Sequence, residues 1–279
     1  MSGDGSGLHL VGSLLRGKYG QLDGGEDRLV VSENMVGVVD GVSDASGARI
    51  DGKSRGSLTA EIVSGVLETV DPNLPLAAVV ERMTDAVAEA FRHTEVLPGA
   101  VFAAVNGHRR EVWRVGDPNV RINGVNFIGQ TAPDRTMNAA RDLVKKLSEA
   151  DQAGGPQTFG ALATSLVSRS ITSAQHHVAN QPRGYAVING TPVPPEFHEV
   201  WTLNQAEHAI ALSTDGYLRI DDSLEATEQR LRSDLDRPPD DHDVIAGLGL
   251  TAVQGGESYD DRAYITCVLR GSLPALDSA

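Results

Sequence analysis

The chain has 279 residues, of which 40% are hydrophobic, enough for a sizeable core in one large domain or two small ones. It carries 24 lysines and arginines against 38 aspartates and glutamates, giving a net charge of −14, which argues against a nucleic-acid or anionic-membrane partner because either would need a basic face. A single cysteine, Cys267, excludes a disulfide framework and a cysteine-based zinc site.

The termini and the hydropathy pattern favour a soluble protein. Residues 1–10 lack a charged segment followed by an apolar core, so we expect a flexible tail there and not a signal peptide. No apolar run approaches the length of a membrane span. We therefore expect a cytoplasmic monomer with one domain over residues 11–271 and a second tail over residues 272–279.

The most informative stretch lies near the N-terminus. Two β-branched runs around Glu33-Asn34 predict a β-hairpin with a two-residue turn. In this register Ser32 pairs with Met35, and Asp27 lies opposite Asp40. Directly opposed like charges destabilise a strand pair, so these carboxylates indicate either a bound divalent cation or one protonated acid.

The rest of the chain predicts a mixture of helices and strands. Two helices follow the hairpin, the first with apolar residues spaced four apart from Leu58 to Val70 and the second over residues 76–93. Each has one apolar face and should lie on a sheet. Further predicted elements are a hairpin at 101–105 and 111–115, a helix at 135–149, a strand at 184–190, a strand pair at 201–203 and 209–213, a helix opened by a capping box at Asp222–Glu225, and a strand at 263–269.

Carboxylates recur at the ends of these strands. Any one Asp-Gly pair is typical of an ordinary turn, and for a single pair that interpretation wins. Repetition at four or more strand ends, without a histidine or cysteine metal pattern, instead indicates a hard cation such as Mg²⁺ or Mn²⁺. The acids concerned are Asp27, Asp40, Asp117, Asp215, Asp260 and Asp261.

Three other candidates have simpler interpretations. Cys267 lies in an apolar strand without a histidine partner, which favours a core position over a nucleophile. The pair His176-His177 has no metal-ligand partners at a known spacing and is interpreted as a surface or partly buried pair. Trp113 lies within a predicted strand and is expected in the core.

Five motifs occur in a fixed order over residues 20–270: Glu26-Asp27, Val38-Val39-Asp40-Gly41, Gly116-Asp117, Ser213-Thr214-Asp215-Gly216 and Asp260-Asp261-Arg262. Together they resemble the metal-dependent serine/threonine protein phosphatases of type 2C. The resemblance implies an α+β fold, a four-layer α-β-β-α sandwich in which two central antiparallel sheets are flanked by helices, with a two-metal site at one end.

The resemblance also implies roles for individual residues, with two Mg²⁺ or Mn²⁺ ions and a possible third. By this likeness Asp40 bridges both metals, the Gly41 carbonyl binds one ion, Asp215 and Asp261 bind the other, Asp27 holds metal-bound water, and Asp117 belongs to a weaker third site.

The chain departs from the family pattern at several positions. Val42 stands where some relatives have a histidine proposed to protonate the leaving group, and Arg219 stands where the family often has an aspartate for the third metal. The family's phosphate-gripping arginine would fall near Leu22. Arg16 or Lys18 could replace it with a shifted loop, although both are typical of surface cations.

The sequence therefore predicts a metal-dependent phosphomonoesterase. By resemblance its substrate is a phosphoserine or phosphothreonine protein. Two alternatives remain open at this point: an enzyme acting on a small phosphorylated metabolite, and a pseudophosphatase that serves as a regulatory or scaffold module.

Overall fold

The structure is a computed structural model that describes residues 7–20, 22, 25–42, 49–94, 98–129, 178–182, 184–235 and 260–271. The helix expected at 135–149 and the pair His176-His177 lie outside these residues, as do residues 1–6 and 272–279. In the described parts of the chain no helix is long and apolar enough to cross a membrane.

Two five-stranded antiparallel sheets form the centre of the described structure. The first has the strand order β1-β12-β11-β8-β9 and the second has the order β10-β7-β6-β3-β2, while β4 and β5 form a separate two-stranded ribbon. The strands are β1 (Leu8–Arg16), β2 (Arg28–Val31), β3 (Met35–Val42), β4 (Arg49–Ile50), β5 (Lys53–Ser54), β6 (Gly99–Asn106), β7 (Glu111–Val115), β8 (Asn119–Ile122), β9 (Val125–Phe127), β10 (Glu199–Thr202), β11 (His208–Ser213) and β12 (Arg262–Leu269). The helices are α1 (Arg55–Thr69), α2 (Leu76–Ala90) and α3 (Leu224–Leu235), with a 3₁₀ turn at Pro195–Phe197.

Three apolar clusters hold four layers together. One packs α1 and α2 against the second sheet, a second fills the space between the sheets, and a third packs α3 against the first sheet. This arrangement confirms the expected α-β-β-α sandwich. Strand β3 shows the physical reason: Met35 and Val39 face the helices, whereas Val36 and Val38 face the other sheet. Since successive side chains of a strand point to opposite faces, a strand covered on both sides must be apolar throughout.

The β2–β3 hairpin has the register that the sequence predicts. Arg28 pairs with Val39 and Val31 pairs with Val36, and the Ser32 amide donates to the Met35 carbonyl at 2.8 Å. The next residues outward from the paired strands are therefore Asp27 on one side and Asp40 on the other.

The two helices after the hairpin form as expected, with one difference. In α2 the predicted apolar face is buried, including Val79, Met83 and Val87. In α1 the buried hydrophobic side chains are instead those of Ala60, Val63 and Leu67, while the predicted stripe from Leu58 to Val70 is partly buried at the edge of the same cluster. Small residues on the inner face allow α1 to approach the sheet closely.

Two strand predictions were wrong. Residues 199–202 and 208–213 do not pair with each other, because β10 pairs with β7 in the second sheet and β11 pairs with β12 and β8 in the first. Residues 184–190 do not form a strand, since Tyr185 and Ile188 each make one isolated bridge. All three segments are short, and pairing with residues distant in the chain decides where each one lies.

The ends of two elements also differ from expectation. The side chain that caps α3 is Ser223, whose Oγ accepts the Ala226 amide at 3.1 Å, because Asp222 instead forms an ion pair with Arg121. Strand β1 begins at Leu8 and pairs along β12, so residues 8–10 belong to a sheet although we expected them in the N-terminal tail.

Candidate metal centre

The acidic side chains lie at or next to the ends of strands in both sheets. Asp27 precedes β2, Asp40 lies near the end of β3, and Asp117 follows β7 through the left-handed turn at Gly116, where φ is +92°. In the first sheet, Asp215 follows β11 and the pair Asp260-Asp261 precedes β12. Of these side chains, Asp27 and Asp261 are buried and Asp215 is exposed.

Electrostatic interactions connect these acids. Burial raises the pKa of Asp40 well above its usual value, and the charges of Asp27, Asp215, Asp117 and Asp260 raise it further. The pKa of a carboxylate responds to other charges that lie near it. The structure therefore brings acids from distant parts of the chain to one end of the sandwich.

The pKa values of Asp27 and Asp260 are raised for the same reasons, burial and the charges of nearby acids. Burial raises the pKa of Asp27 well above its usual value. A hydrogen bond from Thr214 lowers this pKa in part, whereas the charge of Asp260 raises it further. Burial also raises the pKa of Asp260 to about 7, followed by the charge of Asp215, while Lys18 acts in the opposite direction. Carboxylates that repel one another favour either a proton or a cation between them.

A network of hydrogen bonds fixes Asp27. Thr214 Oγ1 donates to Asp27 Oδ2 at 2.7 Å, and Arg28 Nη1 donates to the Asp27 carbonyl at 2.6 Å. Arg28 Nη2 also donates to Ser57 Oγ at 2.6 Å and Glu61 Oε1 at 2.8 Å, both on α1. Sequence reasoning missed Arg28, although a cation at the start of an apolar strand, directly after Glu26-Asp27, was an available signal.

Asp261 holds the neighbouring loop through backbone contacts. Its Oδ1 accepts the Lys18 amide and its Oδ2 accepts the Glu26 amide, each at 2.8 Å. A Cβ added at Gly25 would lie 2.3 Å from Asp261 Oδ2, and φ of Gly25 is +62°, so glycine is needed there. The carboxylate of Asp261 therefore anchors the loop that carries Asp27.

Close backbone packing explains the glycine of each Asp-Gly pair. A Cβ at Gly216 would lie 2.1 Å from the Asp261 carbonyl oxygen, so the turn after β11 packs directly on the segment before β12. A Cβ at Gly41 would lie 2.5 Å from the Gly56 carbonyl oxygen. Because glycine has no side chain, the backbone next to Asp215 can pack against Asp261, and the backbone next to Asp40 can pack against Gly56.

The two predicted phosphate-binding cations lie in different places. The Lys18 ammonium is 3.9 Å from Asp260 Oδ1, beside the acids, and the charges of Asp260 and Asp261 raise its pKa despite the opposing effect of burial. Arg16 lies opposite Arg262 in the β1–β12 pair and lines a cavity next to α3. Of the two, Lys18 is the cation adjacent to the acidic cluster.

Two other residues have the structural roles that the sequence predicts. Trp113 is fully buried and its Nε1 donates to Glu111 Oε2 at 2.8 Å. Cys267 is buried, and burial raises the pKa of its thiol to about 12, which is unsuitable for a nucleophile.

The donor chemistry fits a hard divalent cation. The side chains at this end of the sandwich are carboxylates, with backbone carbonyls beside them, and Mg²⁺ and Mn²⁺ prefer oxygen ligands. Among the described residues, however, no three histidine, cysteine, aspartate or glutamate side chains are grouped closely enough to hold a metal. The acids therefore do not form a complete set of metal ligands in this conformation. A cation here would draw the acids closer together or complete its shell with water.

Among the comparisons with known proteins, the matches are to solved structures, and they bear on the fold. No family model and no curated protein sequence matches the chain. Among solved structures, the Mycobacterium tuberculosis serine/threonine phosphatase PstP/Ppp matches with a TM-score of 0.50 and 14% identity, covering 94% of this chain and 99% of that one. A structure of the PstP catalytic domain in complex with two manganese ions matches with a TM-score of 0.49 and 14% identity, covering 94% of this chain and 98% of that one. The match to PstP/Ppp shows that the chain has the fold of a bacterial serine/threonine phosphatase. This confirms, at the level of the fold, the resemblance to the type 2C phosphatases that its motifs predicted.

Proposed function

We propose that the chain is a metal-dependent phosphomonoesterase that hydrolyses phosphoserine or phosphothreonine in proteins. The observation that carries the proposal is the convergence of six aspartates, from both sheets, on one end of the sandwich, where burial and their mutual charges raise the pKa values of Asp27, Asp40 and Asp260. Because a bound cation would relieve the repulsion between these carboxylates, their arrangement favours a metal site. The fold it shares with PstP/Ppp, which is a serine/threonine phosphatase, supports the same function.

The proposed ligands come from strand ends that face one another. Asp40 and the Gly41 carbonyl would bind from the second sheet and Asp215 from the first, with Asp117 serving a weaker third ion. Bound there, two Mg²⁺ or Mn²⁺ ions would activate a water and stabilise the charge that develops on the phosphoryl oxygens. In this arrangement Asp27, held by Thr214 and Arg28, orients water at the site, and Lys18 attracts the phosphate.

The pair before β12 offers two candidate ligands. The sequence resemblance assigns the role to Asp261, but both oxygens of that carboxylate accept backbone amides. Asp260 is half-buried and responds chiefly, after burial, to the charge of Asp215. We therefore propose that Asp260 supplies the metal ligand and that Asp261 positions the loop.

The experiment is a hydrolysis assay with p-nitrophenyl phosphate and with a phosphoserine/phosphothreonine peptide panel, in Mn²⁺, in Mg²⁺ and in EDTA. Turnover of the peptides that requires the metal supports the proposal. A panel of small phosphorylated metabolites separates the protein phosphatase from a metabolite phosphatase. If neither ion produces hydrolysis of any substrate, the enzymatic proposal is wrong.

A second candidate function is a pseudophosphatase that acts as a regulatory or scaffold module. It is favoured by the lack of a preformed three-ligand group among the described residues. It is also favoured because Lys18, the candidate phosphate-binding cation beside Asp260, is a lysine and not an arginine. The same assay distinguishes the two, because a pseudophosphatase would show no hydrolysis with either ion.

A further inference from the structure

The two segments of the first sheet that carry proposed metal ligands lie against each other. Asp215 is in the turn after β11, and Asp260 and Asp261 precede β12. A Cβ added at Gly216 would lie 2.1 Å from the Asp261 carbonyl oxygen, so the backbones of the two segments are in contact. An interaction that holds these backbones together also holds the carboxylates of Asp215 and Asp260 near each other.

Such an interaction has to oppose a repulsion. After burial, the charge of Asp215 is the next largest cause of the raised pKa of Asp260. Like charges favour separation of the groups that carry them. The metal-free protein therefore needs contacts behind the two carboxylates to keep them together.

One carboxylate on α3 contacts both segments. The hydroxyl of Tyr217, which follows Asp215 by two residues, donates to Glu228 Oε1. On the other segment, Arg262 follows Asp260 by two residues. Its Nε donates to the same Glu228 oxygen at 2.9 Å, and its Nη2 donates to Oε2 at 3.3 Å. Glu228 therefore joins the turn after β11 to the start of β12 from the side of α3.

The contacts of Glu228 with both segments are buried. Tyr217 is 1% exposed and the Arg262 side chain is 4% exposed. Arg262 Nη1 has no hydrogen-bond acceptor in the described structure, so loss of Glu228 would leave this buried cation with still fewer acceptors. By contrast, Arg232 is 76% exposed and lies 3.9 Å from Glu228 Oε2, so this ion pair contributes little.

Tyr217 is itself fixed to the first sheet. Its amide donates to the Thr214 carbonyl at 3.2 Å, and its carbonyl accepts Asn119 Nδ2, from β8, at 2.6 Å. Its ring packs edge-on against Tyr264 of β12, with the ring centroids 6.1 Å apart. Because both its backbone and its ring are held, the position of the Tyr217 hydroxyl is coupled to the position of the turn that carries Asp215.

We propose that Glu228 is a positioning residue for the metal centre, which joins Tyr217 to Arg262 and so holds Asp215 and Asp260 close enough to bind one ion. Glu228 touches neither the ion nor the substrate and acts through the backbones of the two segments. The inference rests on the proposed function, because it takes Asp215 and Asp260 as ligands of the same ion.

Hydrogen–deuterium exchange of the full chain in EDTA tests the positioning without metal. In Glu228→Gln we expect the amides of residues 214–217 and 260–263 to exchange about fivefold faster, because the two segments separate more often. The amides of β6, in the second sheet, should keep their wild-type rates and so exclude general unfolding. Glu225→Gln is the matched control, because it makes the same change on the same helix at an exposed side chain, and all its rates should match the wild type.

Calorimetric titration with Mn²⁺, at a temperature where each variant is fully folded, separates positioning from stabilisation alone. Glu228→Gln should bind Mn²⁺ about tenfold more weakly than the wild type, and Glu225→Gln should stay within about twofold of it.

Tyr217→Phe keeps the test decisive if Glu228→Gln does not fold. This variant retains the ring and the pairing of Glu228 with Arg262, and it loses only the hydroxyl that reaches Glu228. It should also weaken Mn²⁺ binding. The double variant Tyr217→Phe/Glu228→Gln should bind Mn²⁺ no more weakly than Glu228→Gln, because both changes break the same contact.

The possible results separate this inference from the proposed function. Weaker Mn²⁺ binding in Glu228→Gln and Tyr217→Phe, with Glu225→Gln unchanged, supports the positioning role. Equal Mn²⁺ affinity of Glu228→Gln and Glu225→Gln, or unchanged exchange at residues 214–217, overturns the positioning role and leaves the proposed metal centre standing. A wild type that binds no Mn²⁺ overturns the proposed function and the positioning role together.

Discussion

Thr214 Oγ1 donates a hydrogen bond of 2.7 Å to Asp27 Oδ2, although the two residues are 187 positions apart in the chain. The same hydroxyl accepts the Ala263 amide at 2.9 Å. One side chain therefore links the ends of β2, β11 and β12, which are the strand ends that bring acids from the two sheets together.

Replacing Thr214 with valine should weaken both the fold and the proposed activity. The change removes the donor to a buried carboxylate and leaves the Ala263 amide without its acceptor, so the free energy of unfolding should fall by about 1–3 kcal/mol. Urea denaturation measures this effect. Thr69→Val is the control, because Thr69 bonds locally to the Gly65 carbonyl on the exposed part of α1, and a change within about 0.5 kcal/mol is expected. Equal stability of Thr214→Val and the wild type would contradict the role of this hydroxyl.

Asp40→Asn should separate activity from stability. The variant removes a carboxylate that four other aspartates repel, so the metal-free protein should melt about 2–4 °C higher. It should also lose metal-dependent hydrolysis at least a hundredfold, because the proposed bridging ligand loses its charge. Asp117→Asn should reduce activity much less, since the third site is incomplete with Arg219 in place of an acid. Equal loss in both variants would show that Asp117 has a larger role than proposed.

Asp260→Asn should mainly weaken Mn²⁺ binding, whereas Asp261→Asn should mainly lower the free energy of unfolding. The Asp261→Asn change would turn an amide group toward one of two backbone amides, so we expect a loss of about 1–3 kcal/mol in unfolding free energy without metal. Asp260 Oδ1 accepts the amide of the next residue, Asp261, at 2.8 Å, and the amide oxygen of an asparagine can accept the same hydrogen bond. For Asp260→Asn we therefore expect little loss of stability but a tenfold or greater weakening of Mn²⁺ binding. Denaturation in EDTA and calorimetric titration with Mn²⁺ give the two quantities. Normal Mn²⁺ affinity in Asp260→Asn would return the ligand role to Asp261.

Lys18→Gln should raise KM for a phosphorylated substrate several-fold with a smaller effect on kcat. The Lys18 ammonium lies 3.9 Å from Asp260 Oδ1, beside the proposed metal ligands, where a positive charge would attract the phosphate. Steady-state kinetics at fixed Mn²⁺ measure the effect. Arg230→Gln removes one positive charge from α3 and serves as the charge-matched control. The prediction fails if both variants change KM equally.

Glu228→Gln should make stability less sensitive to acid. Burial opposes ionisation of Glu228, but hydrogen bonds from Arg262 and Tyr217 outweigh it and lower the pKa of this carboxyl. A lowered pKa contributes stability that is present above the unfolded-state value of about 4.3 and is lost as the pH falls through the folded-state pKa. Wild type should therefore exceed Glu228→Gln in unfolding free energy at pH 7, and the difference should shrink at pH 3. A difference that is constant between these two pH values would assign the effect to packing alone.

Local patterns were enough to predict part of this architecture. The β2–β3 register follows from a two-residue turn between two short runs, and the buried face of α2 follows from helical spacing. The six aspartates could be found as well, because each one stands next to a strand that is apolar enough to recognise. These features depend on residues that are near one another in the chain.

Tertiary structure decided the features that depend on distant residues. Residues 199–202 and 208–213 look alike as short strands, yet they belong to different sheets because each has a better partner elsewhere. Asp260 and Asp261 are adjacent in sequence, but only the folded structure shows that Asp261 is the one that accepts the Lys18 and Glu26 amides of the distant loop. Arg16 and Lys18 are two positions apart, and the pairing of β1 with β12 carries Arg16 to the cavity beside α3 while Lys18 stays beside the acids. The sequence by itself determined which residues could carry the chemistry; long-range packing, whose free energy no local pattern contains, decided which of them meet.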